Sequence, residues 1–132
     1  MFENVCLAIK VALDLDISKK TIQETLPKLS FEGRFQYLNE GKIKKKLYRN
    51  EIIMIDGAHA TADAKNLATY LKSIKVPKYG IWAMTKNKDP DLFIKQLKGV
   101  FKKVVTMPIE NELSSVSANE LYKIAVKNKF KL

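Results

Sequence analysis

The side chains best placed to do chemistry in this sequence gather at the end of one apolar run. Ile52-Ile53-Met54-Ile55 leads straight into Asp56, Gly57, Ala58 and His59, the single histidine of the 132 residues. In an open α/β sheet, ligands sit at the carboxyl ends of parallel strands, where free amides and the positive end of the next helix favour anions. A second polar corner, Thr85-Lys86-Asn87-Lys88-Asp89-Pro90, follows a second apolar run that ends at Met84. Absences narrow the chemistry further. None of the five glycines lies in a G-x-x-x-x-G-K-[ST] phosphate loop or a G-x-G-x-x-G dinucleotide fingerprint. No serine sits in a nucleophile elbow, and one histidine with one cysteine cannot build a zinc site. The sequence therefore assigns no catalytic residue and no metal ligand, and a bound nucleotide would be held by scattered groups.

The elements around these corners follow from periodicity. The run of residues 52–55 reads as a strand buried on both faces, and Ala64, Leu67, Ala68, Leu71 and Ile74 recur at helical spacing after it. Asp56-Gly57 is also a common hairpin turn, but the residues beyond it keep a helical and not an alternating period. Upstream, Val5, Ala8, Ile9, Ala12 and Leu13 form a helical stripe with Asn4 as its cap. Ser18 caps a second helix that stops near Pro27. Residues 31–38 suit a strand. The basic stretch from Lys42 to Arg49 reads as an edge strand whose lysines discourage aggregation, in preference to a nucleic-acid patch, because Tyr48 is its one stacking aromatic. Downstream, residues 79–84 form a strand. Asp89 and Pro90 then open a helix bearing Phe93, Ile94 and Leu97. Residues 103–107 form a third short strand ended by Pro108, and Ser117 with Glu120 begins the last helix, carrying Leu121, Tyr122, Ala125 and Val126 on one face. Strands alternating with helices in this way predict an α/β fold, a Rossmann-like, mostly parallel sheet flanked by helices, with an N-terminal helical segment over residues 1–30 and the domain proper over 31–132.

Composition sets the setting. The hydrophobic fraction of 46% with 29% charged residues belongs to a globular protein of one domain. Charged residues interrupt the first apolar stretch, which excludes a secretory signal or a spanning helix there. Cys6 lies among apolar residues as a packing side chain and cannot form an internal disulfide, so a reduced, cytoplasmic setting is expected. The formal net charge of +10 suggests an anionic partner, although lysine-rich surfaces are also common where no ligand binds.

Four segments together resemble a known family. Phe31-Glu32-Gly33-Arg34-Phe35-Gln36 is similar to the P-G-R-F-Q segment, and Ile55-Asp56-Gly57-Ala58-His59 to the L-D-G-A-H-N-P segment, of folylpolyglutamate synthases and dihydrofolate synthases in the Mur ligase superfamily. Asn4 with the helix after it resembles the family's N-x-x-x-A-[LI] helix start, and Lys88-Asp89 its K-D pair. The resemblance implies an ATP-dependent ligase in which a folate carboxylate is phosphorylated and the acyl phosphate is attacked by the amine of glutamate. It implies ATP contacts from Asn4 to the adenine, from Arg34 to the phosphates and from Asp56 to the nucleotide's other side, where a carboxylate would accept from ribose hydroxyls. His59 either positions a phosphate or caps the loop.

The sequence departs from that pattern in several places. Ala60-Thr61 stands where the family has Asn-Pro, and the segment between Arg34 and Asp56 is longer. The P-loop domain and the magnesium ligands lie outside this sequence, and the chain ends before the family's final strand and helix. The expectation is thus a C-terminal domain, incomplete at its own C-terminal end and inactive without a P-loop domain, which could join it in trans. Folate and glutamate would be partners of the complete enzyme only. Membrane and nucleic acid are not expected partners, whereas self-association through an exposed sheet edge is. The alternative is a small basic Rossmann-like binding module for a nucleotide or nucleic acid, with no ligase activity.

Overall fold

Asp89 and Ser117 act as the helix caps their positions predict. In the computed structural model, which describes residues 2–132 and side chains from Asn4 onward, Asp89 Oδ1 accepts from the Leu92 amide at 2.8 Å. Ser117 Oγ accepts from the Glu120 amide at 3.2 Å. Each satisfies an amide that the first turn of a helix leaves without a partner. The chain divides into two compact units, Met1–Gly57 and Ala58–Leu132.

The second unit contains α4 (Thr61–Ser73), β3 (Tyr79–Trp82), α5 (Pro90–Gln96), β4 (Lys103–Thr106) and α6 (Ala118–Lys127). β3 and β4 pair in parallel, with Tyr79 opposite Lys103 and Trp82 opposite Thr106. Parallel neighbours need a long crossover, and α5 supplies it, giving a βαβ unit. α4 buries Ala64, Leu67, Ala68 and Leu71, the predicted stripe less its last member. α5 packs against both α4 and α6, and α6 against β4. The most enclosed large side chains, Ile94, Leu121 and Val104, come one each from α5, α6 and β4, which locates the core. Trp82 stacks on Phe93 with ring centroids 6.3 Å apart. On α6 the buried pair is Leu121 and Ala125, one turn apart, while Tyr122 and Val126 are half exposed.

One polar cluster ties α5 to α6. Asp91 accepts hydrogen bonds from Lys95 Nζ and, at 2.9 Å, from Asn128 Nδ2, with Lys127 Nζ 3.4 Å away. The Lys95 bond first, then the Asn128 bond and the charge of Lys127, lower the Asp91 carboxyl from its usual 3.8 to about 2. A carboxyl depressed in the folded state stabilises the fold above its unfolded value, and that contribution is lost as pH falls through the folded one. The second unit is therefore expected to lose stability between about pH 4 and pH 2, and Asp91→Asn should flatten that part of the profile. Urea midpoints followed by Trp82 fluorescence at pH 5, 3 and 2 measure it. Parallel profiles for the two proteins would contradict the assignment.

The first unit contains α1 (Phe2–Asp14), α2 (Lys19–Thr25), a 3₁₀ turn (Leu26–Lys28), β1 (Gln36–Tyr37), α3 (Gly41–Lys44) and β2 (Met54–Ile55). α1 packs against α2, and Ser18 caps α2 through the Thr21 amide at 3.1 Å. β1 and β2 pair antiparallel, Gln36 opposite Ile55, and Leu38 N–H extends the ladder to Ile53 O at 3.0 Å.

Several expectations are corrected in this unit. α1 already includes Phe2, so Asn4 lies within the helix and not at its cap. Cys6 is exposed and is not a packing residue. Of the α1 stripe, only Ile9 and Ala12 are even partly covered. The run 52–55 is not a doubly buried strand, since only its last two residues are in β2 and Ile52 is 71% exposed. Lys42 to Arg49 is no edge strand. Gly41 at φ +95° starts a helical turn in which Lys45 N–H reaches Gly41 O and Leu47 N–H reaches Lys44 O, while the Tyr48 amide donates to Glu51 Oε2 at 3.0 Å. Local bonds satisfy this backbone, so no ladder forms. Among the described residues, then, one parallel and one antiparallel pair replace the mostly parallel sheet.

Candidate functional site

A tight loop precedes β1 in the first unit, and the end of β2 holds it in shape. Arg34 N–H donates to Phe31 O at 3.1 Å, and Gly33 N–H donates to Gln36 Oε1 at 2.8 Å. Gly33 at φ +66° and Phe35 at φ +44° both lie in the left-handed region. Glycine adopts it freely, but phenylalanine does so at a cost that neighbouring bonds must offset. Those bonds come from β2's exit. Asp56 Oδ2 accepts from the Phe35 amide at 2.8 Å, and Gly57 N–H donates to Gly33 O at 2.6 Å. A Cβ at Gly57 would stand 3.3 Å from Gly33 O and 3.8 Å from Arg34 Nη1, so a side chain there would crowd the loop. The glycine is what lets the two segments meet.

The bond from the Phe35 amide to Asp56 and the approach of the Arg34 guanidinium to Gly57 bring Arg34 and Asp56 to one place. Arg34 is exposed and Asp56 half-buried. An exposed guanidinium beside a bare glycine can offer parallel N–H donors to phosphate or carboxylate oxygens. Asp56 meanwhile spends one oxygen on a backbone amide, so part of its work is to hold the loop that carries Arg34. Asn4 is exposed on α1. His59 falls in the second unit, exposed, two residues before α4, and Ala60 gives α4 no side-chain cap. Among the described residues no group of three or more His, Cys, Asp or Glu could hold a metal ion, and no helix is long and apolar enough to cross a membrane.

No protein-family model matches the sequence, and no curated protein matches it. Solved structures do match. A Helicobacter pylori folylpolyglutamate synthetase is 25% identical with a TM-score of 0.64, over 94% of this chain and 30% of that one. Escherichia coli FolC in complex with DHPP and ADP is 22% identical with a TM-score of 0.69, over 89% of this chain and 27% of that one. The structural neighbours of this chain include folylpolyglutamate synthases. A bifunctional folylpolyglutamate synthase/dihydrofolate synthase from Yersinia pestis, complexed with AMPPNP and Mn, agrees at 24% identity and a TM-score of 0.68, over 83% of this chain and 24% of that one. The chain thus spans about a quarter of the length of the folylpolyglutamate synthases it matches.

Sequence reasoning singled out Arg34 and Asp56 but missed the residues that support them. Gln36 was within the quoted motif, and an amide acceptor three residues after a glycine is a usable turn signal. Phe35 carried no such signal, since nothing in the sequence marks an aromatic residue for positive φ.

Proposed function

We propose that this chain is the nucleotide-contacting, C-terminal part of a folylpolyglutamate synthase-like ligase, which couples ATP hydrolysis to amide formation between folate and glutamate in the cytoplasm. The loop of residues 33–36, hydrogen-bonded to Asp56 and Gly57, is the observation that carries this reading. It presents one exposed arginine beside a side-chain-free position, and the same fold occurs in enzymes solved with ADP and AMPPNP.

In this reading Arg34 holds phosphate oxygens and Asp56 fixes the loop while facing the nucleotide. Asn4 contacts the base, and His59 lies toward the phosphates or caps its loop. ATP supplies the phosphoryl group that activates the folate carboxylate. Magnesium would be held by a P-loop domain, contributed by another part of the polypeptide or by a second one. The chain by itself is then inactive. Incubation with ATP, magnesium, a reduced folate and glutamate should release no phosphate until a P-loop ligase domain is added, and Arg34→Ala should lower the rescued rate at least tenfold. Phosphate release by the chain alone, or rescue indifferent to Arg34, would overturn the proposal.

A further inference from the structure

At the end of the second unit where its parallel strands begin, three stretches far apart in sequence converge. The Lys102 amide donates to Lys78 O at 2.8 Å and the Val104 amide to Lys131 O at 2.9 Å, which stitches together residues 78, 102–104 and 131. A cavity of about 560 Å³ opens there. Lys98, Lys102, Lys103, Lys129 and Lys131 line it, together with the rings of Tyr79, Phe101 and Phe130. A second cavity of about 420 Å³ shares Gly99, Phe101 and Lys102 and adds Lys72 and Lys75. No acidic residue lines either one. Among the described residues the lysines that pair with carboxylates are Lys10, Lys20, Lys95 and Lys127, none of which lines these cavities.

Such an arrangement focuses positive potential into a concave surface. The charges are all lysine, which binds phosphate as a point charge and imposes no bidentate geometry. The aromatic side chains decide what kind of anion fits. Tyr79 is 67% exposed, while Phe101 and Phe130 are half-buried, the Phe101 ring lying against Gly80, 3.4 Å from where a Cβ would stand. The negative face of an aromatic ring does not attract a carboxylate, and a duplex hides its base faces, whereas the flat face of a base stacks on it. An unpaired strand offers both spaced phosphates and stackable bases.

We propose that this groove binds single-stranded nucleic acid, with the lysines on the phosphates and Tyr79 stacked on a base. No residue of the Arg34 loop lines the groove, and the proposal does not depend on the ligase reading. The contiguous basic run 42–49 is not part of it. The groove's lysines are scattered through the sequence and meet only through the pairing of β3 with β4 and the return of the chain after α6.

The test uses the full chain and fluorescently labelled twenty-residue dT and U oligonucleotides in anisotropy titrations. Phosphate contacts from five lysines predict an affinity falling about a hundredfold between 50 and 200 mM salt. The exposed double variant Lys103→Gln/Lys131→Gln should bind at least tenfold more weakly and lower the log–log salt slope by about 1.4. Tyr79→Ala should weaken binding about tenfold at an unchanged slope. Lys42→Gln/Lys45→Gln should bind as the parent does, and circular dichroism verifies that each variant is folded. No binding at 50 mM salt, groove variants that bind like the parent, or a duplex bound as tightly as the single strand would each overturn the proposal. So would a Tyr79→Ala protein of full affinity, which would reduce the groove to a general polyanion surface.

Discussion

Leu121→Ala is expected to destabilise the second unit by about 3 kcal/mol, within the range for emptying a fully enclosed leucine site. Leu121 is 0% exposed, and the other most enclosed side chains, Ile94 and Val104, belong to the elements that α6 packs against. Those neighbours sit on an α5 helix and a β4 strand held in place by caps and a parallel ladder. They cannot close the gap without shifting whole elements, so most of the cavity should persist. The chain's one tryptophan makes the measurement specific. Trp82 is 7% exposed and stacked on Phe93, so its emission reports on this unit. A shift of the urea midpoint corresponding to less than about 1 kcal/mol would mean that α6 does not close the core. Leu121→Met, which keeps the volume, should cost less than about 1.5 kcal/mol.

That core was legible in the sequence because pattern, cap and boundary agree in the second unit. For α5, Asp89, Pro90 and the Phe93, Ile94, Leu97 set all point the same way, and the helix runs Pro90–Gln96. For α6, Ser117 and Leu121 do so as well. The first unit offered single signals instead. Ile52-Ile53-Met54-Ile55 has the composition of an interior strand, but composition cannot tell whether neighbours will cover it, and only two of its residues pair. Ile43 and Leu47 are four apart, a spacing that fits one helical turn as well as two steps of a strand. Gly41 at positive φ and the Glu51 side chain decided for the turn. Neither is visible as a pattern, because each acts through one local bond.

The site shows the same division between side-chain identity and backbone geometry. Arg34, Asp56 and Gly57 stood out by type and motif, and they do meet. Their meeting depends on Phe35 adopting a conformation that no propensity scale would assign to it. A strained backbone persists only where its surroundings over-determine it. Here those surroundings are the Asp56 carboxylate and the Gly57 amide.

Asp56→Ala should therefore act on the loop before it acts on any ligand. Removing a charged acceptor from the Phe35 amide forfeits a charge-assisted bond of about 1.5–3 kcal/mol. With it goes one of the bonds by which the end of β2 holds residues 33–35. Amide exchange at Phe35 and Gly57 should speed up by a factor of ten or more, a readout that needs no nucleotide. Asp56→Asn keeps an oxygen at the same reach, and should preserve most of the protection while removing the charge. The pair of variants separates the two tasks of this residue. If the loop is what matters, ADP affinity in the assembled ligase falls with Asp56→Ala and recovers with Asp56→Asn. If the carboxylate also meets the nucleotide, both variants lose affinity while only the alanine protein loses protection. Unchanged exchange at Phe35 in Asp56→Ala would show that the loop holds its shape without the carboxylate, and the case for Arg34 as a pre-positioned phosphate contact would lose its physical basis.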